Sequence, residues 1–535
     1  MEMQIILNFQ YGFPWYKYNN TYVKGYVIKE NKLCQNHDFA RLIDSMDTFS
    51  NIVTALKSFH GIFVIVAKKE EKIYLASDIT RTFPLFYTIN NNTVYISDDA
   101  FYLQQLLNLK LNSISSNEFL KCGYVTGNAT LLKNLRQLQA GEIVELRSGK
   151  IFRRFYHNYT VKNDELSTLS EKELKSNLLG ILTNAISRLI IFAAGAPIVV
   201  PLSGGFDSRL IVALLKILGY KNVICYTYGK RDSSEVLTAQ KVSEKLGYTW
   251  HFVEQNDKLI PKNYTHTQWF YDFYKYGFNY VSTLHLQDFF VFRFLHEKEN
   301  ISENSVIVPG HSGDFLGGSH IRKLPIPKSV RMCFHTLTGK HYVLNGHVPI
   351  APAVKEKIFS YITKCAAQGS LLYSIDENWN LKERQAKYII NSNRTYEFFG
   401  YRHAIPLWDI DLVEFFRRLP LHYKVNKNLY ADTIKEYIFR PLDIIFDQKA
   451  FAKGFKLKLY FKIVKELPVT PYLRYLFEVA SPSITRIPIK NLFRTDENNF
   501  ASVLNPIITE LGKRYYLINT PGHVAEWCLA HTGIS

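Results

Sequence analysis

A chain of 535 residues, 47% hydrophobic and 21% charged, has room for two or more domains with full cores, and this composition excludes disorder as its dominant state. No apolar run approaches the roughly 18 residues that span a bilayer: the nearest, residues 189–202, is broken by prolines, and the first residues lack both the basic start and the apolar core of a signal peptide, so a cytoplasmic protein is expected. The formal net charge of +18 favours anionic partners such as nucleotides, nucleic acid or an anionic membrane surface, although a basic solvated surface accounts for it as well.

Residues 1–157 alternate short β-branched and aromatic runs with turns. Strands are predicted at 4–9, 21–28, 61–67, 72–77, 85–89 and 93–97, and helical stretches at 39–59 and 100–107. The polar stretch 158–174 reads as a linker, and 169–192 carries the period of a long amphipathic helix. Strand 198–202, a helix through Leu210, Ile211, Leu214, Leu215 and Leu218, strand 223–228, helix 234–246 and strand 249–253 follow. Strand alternating with helix predicts an α/β, doubly wound parallel sheet that binds ligand at the carboxyl ends of its strands. The six cysteines, at 34, 122, 225, 333, 365 and 528, form no Cys-x-x-Cys pair and read as core residues.

The turn after strand 198–202 carries the chemistry. Ser203, Gly204, Gly205, Asp207 and Ser208 follow Leu202 directly. Two glycines let the backbone approach an anion, and the unpaired N–H groups opening the next helix sit at its positive end. Asp207 would repel a phosphate there unless a divalent cation lay between them, so ATP with Mg2+ is the expected ligand. The segment has no lysine of the Gly-Lys-Ser/Thr type and resembles the pyrophosphatase loop, Ser-Gly-Gly-x-Asp-Ser. That resemblance implies cleavage of ATP between the α and β phosphates, with the pyrophosphate held in the loop.

Residues 61–66 and 75–87, with the strand at 139–146, resemble the second half of a class II glutaminase domain, which implies an α+β sandwich over 1–157. The chemistry of that family is missing. Its nucleophile is a processed N-terminal cysteine, whereas Glu2 follows Met1 here and Cys34 lies well inside the segment. A glutaminase-like fold without glutaminase activity is expected.

Three further stretches resemble asparagine synthetases. Glu235 and Ala239 match the Glu-x-x-x-Ala helix flanking the nucleotide. Residues 306–319 end an apolar strand in a glycine-rich loop, where Gly310 falls at the nucleotide, Asp314 on the aspartate that shares the metal with Asp207, and His311 in the slot of a group near the attacking amine. A histidine titrating near neutrality would serve there as general base, or would only hydrogen-bond nearby backbone. Residues 400–415 keep Pro406, Asp409 and Leu412 to Glu414 of a third motif, but Arg402 and Ala404 replace its Glu and Arg, which puts the usual amino-acid substrate in doubt. In 441–449 the resemblance makes Lys449 the lysine that meets phosphates and developing oxyanion, with Lys453 as the alternative register.

Together these matches resemble the asparagine synthetase superfamily: a glutaminase-like domain (1–157), a linker (158–174) and an adenine-nucleotide alpha-hydrolase-like synthetase domain (175–535) with a helical C-terminal part. The implied reaction is an ATP-dependent amide ligation through an acyl-adenylate, with ammonia or an amine as nucleophile and no nucleic acid required. A tRNA-modifying loop enzyme and a catalytically silent scaffold are the competing readings. The basic segment 449–474 reads either as a solvated helix near the site or as a contact for anionic lipid or a lipid-linked substrate.

Overall fold

The computed structural model describes residues 2–46, 48–298, 301–321, 326–346, 348–446, 486–487, 498–513, 516–517 and 520–534. In the first part of the chain, strands β1 (Glu2–Ile6), β2 (Tyr16–Tyr18), β3 (Thr21–Lys29), β4 (Lys32–Gln35), β5 (His60–Lys69), β6 (Lys72–Ser77), β7 (Phe86–Asn90), β8 (Thr93–Ser97), β9 (Arg136–Gln137), β10 (Glu142–Arg147) and β11 (Lys150–Phe155) build two sheets. One runs β1-β8-β7-β9; the other runs β11-β10-β6-β5-β3-β2, with β4 paired to β3. Every residue of β5 from Ile62 to Ala67 is buried, as a strand covered on both faces requires. The stretch read as one helix over 39–59 is two, α1 (Asn36–Asp44) and α2 (Phe49–Ser58), because Thr48 turns extended and its side chain caps the second by accepting from Asn51 N–H. Helices α3 (Ala100–Leu107) and α4 (Ser113–Cys122) complete this half.

The stretch read as a linker is pinned down. Tyr159 and Val161 are buried, Asn378 Oδ1 accepts the Tyr159 N–H at 2.8 Å, and 171–174 already belong to helix α5 (Glu171–Ala193). Ser170 and Glu173 start that helix with a capping box. By length and composition α5 could cross a membrane, which corrects the apolar count made on 189–202. Its face of Leu174, Leu178, Leu182, Ile186 and Leu189 is buried in the core shared by both halves, and Phe192 stacks on Tyr26 of β3 with ring centroids 3.6 Å apart.

The second part is built on five strands: β12 (Ile198–Pro201), β13 (Val223–Gly229), β14 (Thr249–Glu254), β15 (Val306–Ile307) and β16 (Arg402–His403), in the order β14-β13-β12-β15-β16 with all pairs parallel. Ile198, Val199 and Val200 of the central β12 are fully buried. Helices α6 (Phe206–Ile217) and α7 (Ser234–Leu246) connect the first three strands, and α8 (Gln268–Phe278), α9 (Phe289–Glu297) and α10 (Gly313–Leu316) precede a mostly helical remainder. The fold is therefore α/β: a two-sheet α+β half, a doubly wound parallel sheet and a helical C-terminal part.

Candidate functional site

Strand β12 ends between two neighbours, so the turn at 202–205 emerges at the carboxyl edge of the sheet and opens α6, whose N-cap is Gly205 with no side chain capping it. Side chains hold the turn in shape. Ser203 Oγ accepts the Gly205 N–H at 3.1 Å, Ser208 Oγ accepts the Ser203 N–H at 3.2 Å, and Thr227 Oγ1 donates to Leu202 O at 2.6 Å. Arg209 donates to Gly204 O at 2.7 Å and to Ile444 O at 3.1 Å, tying the turn to the C-terminal helices.

Three glycines bring other elements flush against this turn. A Cβ on Gly204 would lie 3.1 Å from Glu235 Cα at the start of α7, and one on Gly310 would lie 2.8 Å from Ser208 N. One on Gly313 would overlap the Tyr430 hydroxyl and stand 2.8 Å from Asp207 Cγ. The loop after β15 can therefore lie directly on the first turn of α6. There the Asp314 N–H donates to Asp207 Oδ2 at 2.7 Å, and the Tyr430 hydroxyl donates to Asp207 Oδ1 at 3.1 Å. The Lys427 ammonium pairs with Asp314 Oδ1.

A cavity of about 400 Å³ opens beside the loop. Of the residues expected to hold nucleotide or metal, Leu202, Ser203, Gly205, Asp207, Ser208, Glu235, Gly310 and Asp314 line it, and Gly204 lies in the turn behind. The fit to a nucleotide phosphate with a divalent ion rests on three features: an uncapped helix start, glycines at 204 and 310 that let neighbouring elements close directly on the turn, and two carboxylates on adjoining backbones. Burial pushes the Asp207 carboxyl up to about 6, and burial also lowers Lys427 from the usual ammonium range.

His311 lines the cavity with its Nε2 2.8 Å from Ser392 Oγ. Its expected titration near neutrality does not hold: burial, with His285 and His403 nearby, pushes it down to about 3, so the ring is neutral and a weak base. Lys449, Lys453 and the basic segment 449–474 lie outside the described residues.

The third motif is used away from the cavity. Arg188 of α5 donates to Asp409 at 2.7 and 2.8 Å and to Asp411 at 2.9 Å, while His60 Nδ1 stands 3.2 Å from Asp409. Glu414 meets His157 Nε2 at 3.0 Å and Arg417 at 2.9 Å. His60, Asp409 and Asp411 have a metal-like arrangement, but the Arg188 guanidinium already supplies the cation. Tyr430 and Lys427 carry no sequence signal: they follow a backbone reversal in which Asn426 and Lys427 both have φ 59°.

Two family models match in chain order: a glutamine amidotransferase domain over residues 18–159 and asparagine synthase over residues 178–345. A probable glutamine-hydrolysing asparagine synthetase of Acanthamoeba polyphaga mimivirus is 26% identical over 193 residues, 36% of this chain and 33% of that protein. A 7-cyano-7-deazaguanine synthase of Polynucleobacter asymbioticus is 41% identical over 64 residues, 12% of this chain and 26% of that one. The matched region thus spans a third or less of each curated relative's length. Among solved structures, the glutamine phosphoribosylpyrophosphate amidotransferase from B. subtilis, complexed with ADP and GMP, aligns at 12% identity and TM-score 0.19 over 44% of this chain and 72% of its own. Both domain models match in chain order, and the serine-glycine turn and its facing carboxylates lie inside the second, a likeness that supports the asparagine synthetase superfamily.

Proposed function

We propose that the chain is an ATP-dependent, amide-forming ligase. A substrate carboxylate attacks the α-phosphorus of ATP and pyrophosphate leaves. Ammonia or an amine then attacks the acyl carbon, and AMP departs with the carboxylate oxygen. The observation that carries this reading is the pairing of Asp207 and Asp314, from two loops, at the mouth of an uncapped helix lined by Ser203 and Ser208.

Asp207 and Asp314 would hold Mg2+, which when bound neutralises phosphate charge. The Ser203 and Ser208 hydroxyls and the N–H groups opening α6 hold the departing pyrophosphate. Lys427, paired with Asp314, would balance phosphate charge as it develops, and the resemblance adds Lys449 to that role. His311, neutral and anchored by Ser392, orients the nucleophile and accepts its proton only as the bond forms.

Glutamine hydrolysis is not part of this proposal. Burial raises all six thiols, Cys34 and Cys122 of the amidotransferase half included, away from the thiolate such chemistry uses. The nitrogen then comes as free ammonia, from a partner, or as a substrate amine. The test is release of pyrophosphate and AMP from ATP with Mg2+ across a panel of carboxylates with ammonium, with Asp207→Ala as control. Release lost in the variant supports the ligase, and the stimulating carboxylate names the substrate. Absence of both turnover and nucleotide binding refutes it.

A further inference from the structure

Tyr430 stands behind Asp207 and is not itself a lining residue of the cavity. It lies in the helix Asn428–Ile434, which opens directly after Lys427, and it is 1% exposed. Its ring centroid lies 5.7 Å from that of Phe206 and 5.8 Å from that of Phe416. Two glycines of the facing loop make room for it: a Cβ on Gly313 would overlap its hydroxyl, and one on Gly317 would stand 2.9 Å from its Cδ1. A phenylalanine would fill this space with the same ring contacts. What the hydroxyl adds is the 3.1 Å hydrogen bond that it donates to Asp207 Oδ1.

That bond completes a pair. Asp207 Oδ2 accepts the Asp314 N–H at 2.7 Å, so each carboxylate oxygen has one donor, and the two donors come from different segments of the chain. An ionised carboxylate offers about four acceptor positions, so roughly two stay free for a cation. Held at Oδ2 alone, the group could swing about that bond; held at both oxygens, it cannot rotate without breaking one of them. The same helix start reaches the second carboxylate as well, because Lys427 pairs with Asp314 Oδ1. One element therefore touches both members of the candidate metal pair.

We propose that Tyr430 is a positioning residue for the metal site: by fixing Oδ1 it sets the plane in which the Asp207 carboxylate meets a divalent ion shared with Asp314. The inference rests on the reading of Asp207 and Asp314 as the metal pair, and adds to it the group that orients one of them. Hydrogen-bond partners of a ligating carboxylate are typically worth about 10- to 100-fold in metal affinity. The bland alternative, a buried phenol that only satisfies itself on a nearby acceptor, would leave metal affinity untouched.

The test is titration of the full chain with Mn2+, read from the paramagnetic resonance of the free ion, with Mg2+ as competitor. Wild type is compared with Tyr430→Phe, which keeps the ring, and with Asp207→Ala; Tyr430→Leu is a second hydroxyl-free variant should the first not fold. Circular dichroism establishes that each protein is folded. The expectation is that Tyr430→Phe weakens Mn2+ binding by about tenfold. Raised Mg2+ should then bring its pyrophosphate–ATP exchange back toward wild type, whereas Asp207→Ala should not recover. Wild-type Mn2+ affinity in folded Tyr430→Phe, alongside a loss in Asp207→Ala, would overturn the role of Tyr430 and leave the metal pair standing. Equal Mn2+ binding by wild type and Asp207→Ala would instead remove the metal pair itself, and this inference with it.

Discussion

Gly310→Ala isolates the close approach on which the site depends. The backbone at Gly310 is not in the left-handed region, so the substitution adds no conformational strain, and its whole effect comes from space. The added Cβ would meet Ser208 N at 2.8 Å, Ser208 Cα at 3.2 Å and the Asp207 carbonyl carbon at 3.3 Å. All three are main-chain atoms in the first turn of α6, and none can rotate away. Relieving the contact requires about 0.6 Å of separation, an overpacking cost of about 1–3 kcal/mol. That displacement moves Asp314 away from Asp207, and misplacement on this scale costs about 10- to 100-fold in rate. Gly205→Ala is the internal comparison, because its Cβ meets only the Ser203 hydroxyl at 2.8 Å, a side chain that can turn. Pyrophosphate–ATP exchange alongside urea unfolding would read both effects. Gly310→Ala with wild-type exchange and stability, or no worse than Gly205→Ala, would refute the reasoning.

Lys424 and Glu377 form a fully buried ion pair at 2.9 Å, so Lys424→Met strands a buried carboxylate and should lower unfolding free energy by about 3–5 kcal/mol. Adding Glu377→Gln should recover much of that loss in the same urea titration. For Asp288, burial raises the folded-state carboxyl to about 6 against about 3.9 unfolded, so the folded form holds the extra proton. Its contribution is fully present below about pH 4 and fades as pH rises through 6, a decline of about 3 kcal/mol that Asp288→Asn should flatten. The Asp409 carboxyl behaves oppositely: burial would raise it, but the His60 hydrogen bond and the Arg188 guanidinium hold it below the usual range. Its stabilisation is therefore present above about pH 4 and lost in more acid solution, and acid unfolding of Asp409→Asn should lack that step. With its imidazole at about 3, His311 should leave no inflection in the rate profile above about pH 5, and His311→Gln should run parallel to the wild type there.

The serine-glycine turn could be placed from the sequence because its pattern is local: a strand, two glycines, two serines and a carboxylate follow one another closely. The facing loop could be read for the same reason, since Val306–Ile307 is an apolar run ending in glycines. Lys427 and Tyr430 were not, because they reach Asp207 and Asp314 only through tertiary folding, from over a hundred residues away in the chain. In the π-helical stretch Asn380–Ile389, Lys382, Glu383 and Lys387 are polar by letter and buried in fact, held by partners such as Asn158, Gly127 and Val125. Hydrophobic periodicity cannot register burial that is compensated by pairing. The third motif was read as part of the site, but Asp409 and Glu414 face the first half of the chain rather than the cavity.

That last arrangement bears on why such a chain keeps both halves. His60 and His157 lend their rings to carboxylates in the second half, and Tyr26 is the floor on which Phe192 of α5 rests. An excised second half would begin life with Asp409 short of one partner, Glu414 short of another and an apolar helix face turned to water. Whatever chemistry the first half performs, the second half leans on it mechanically.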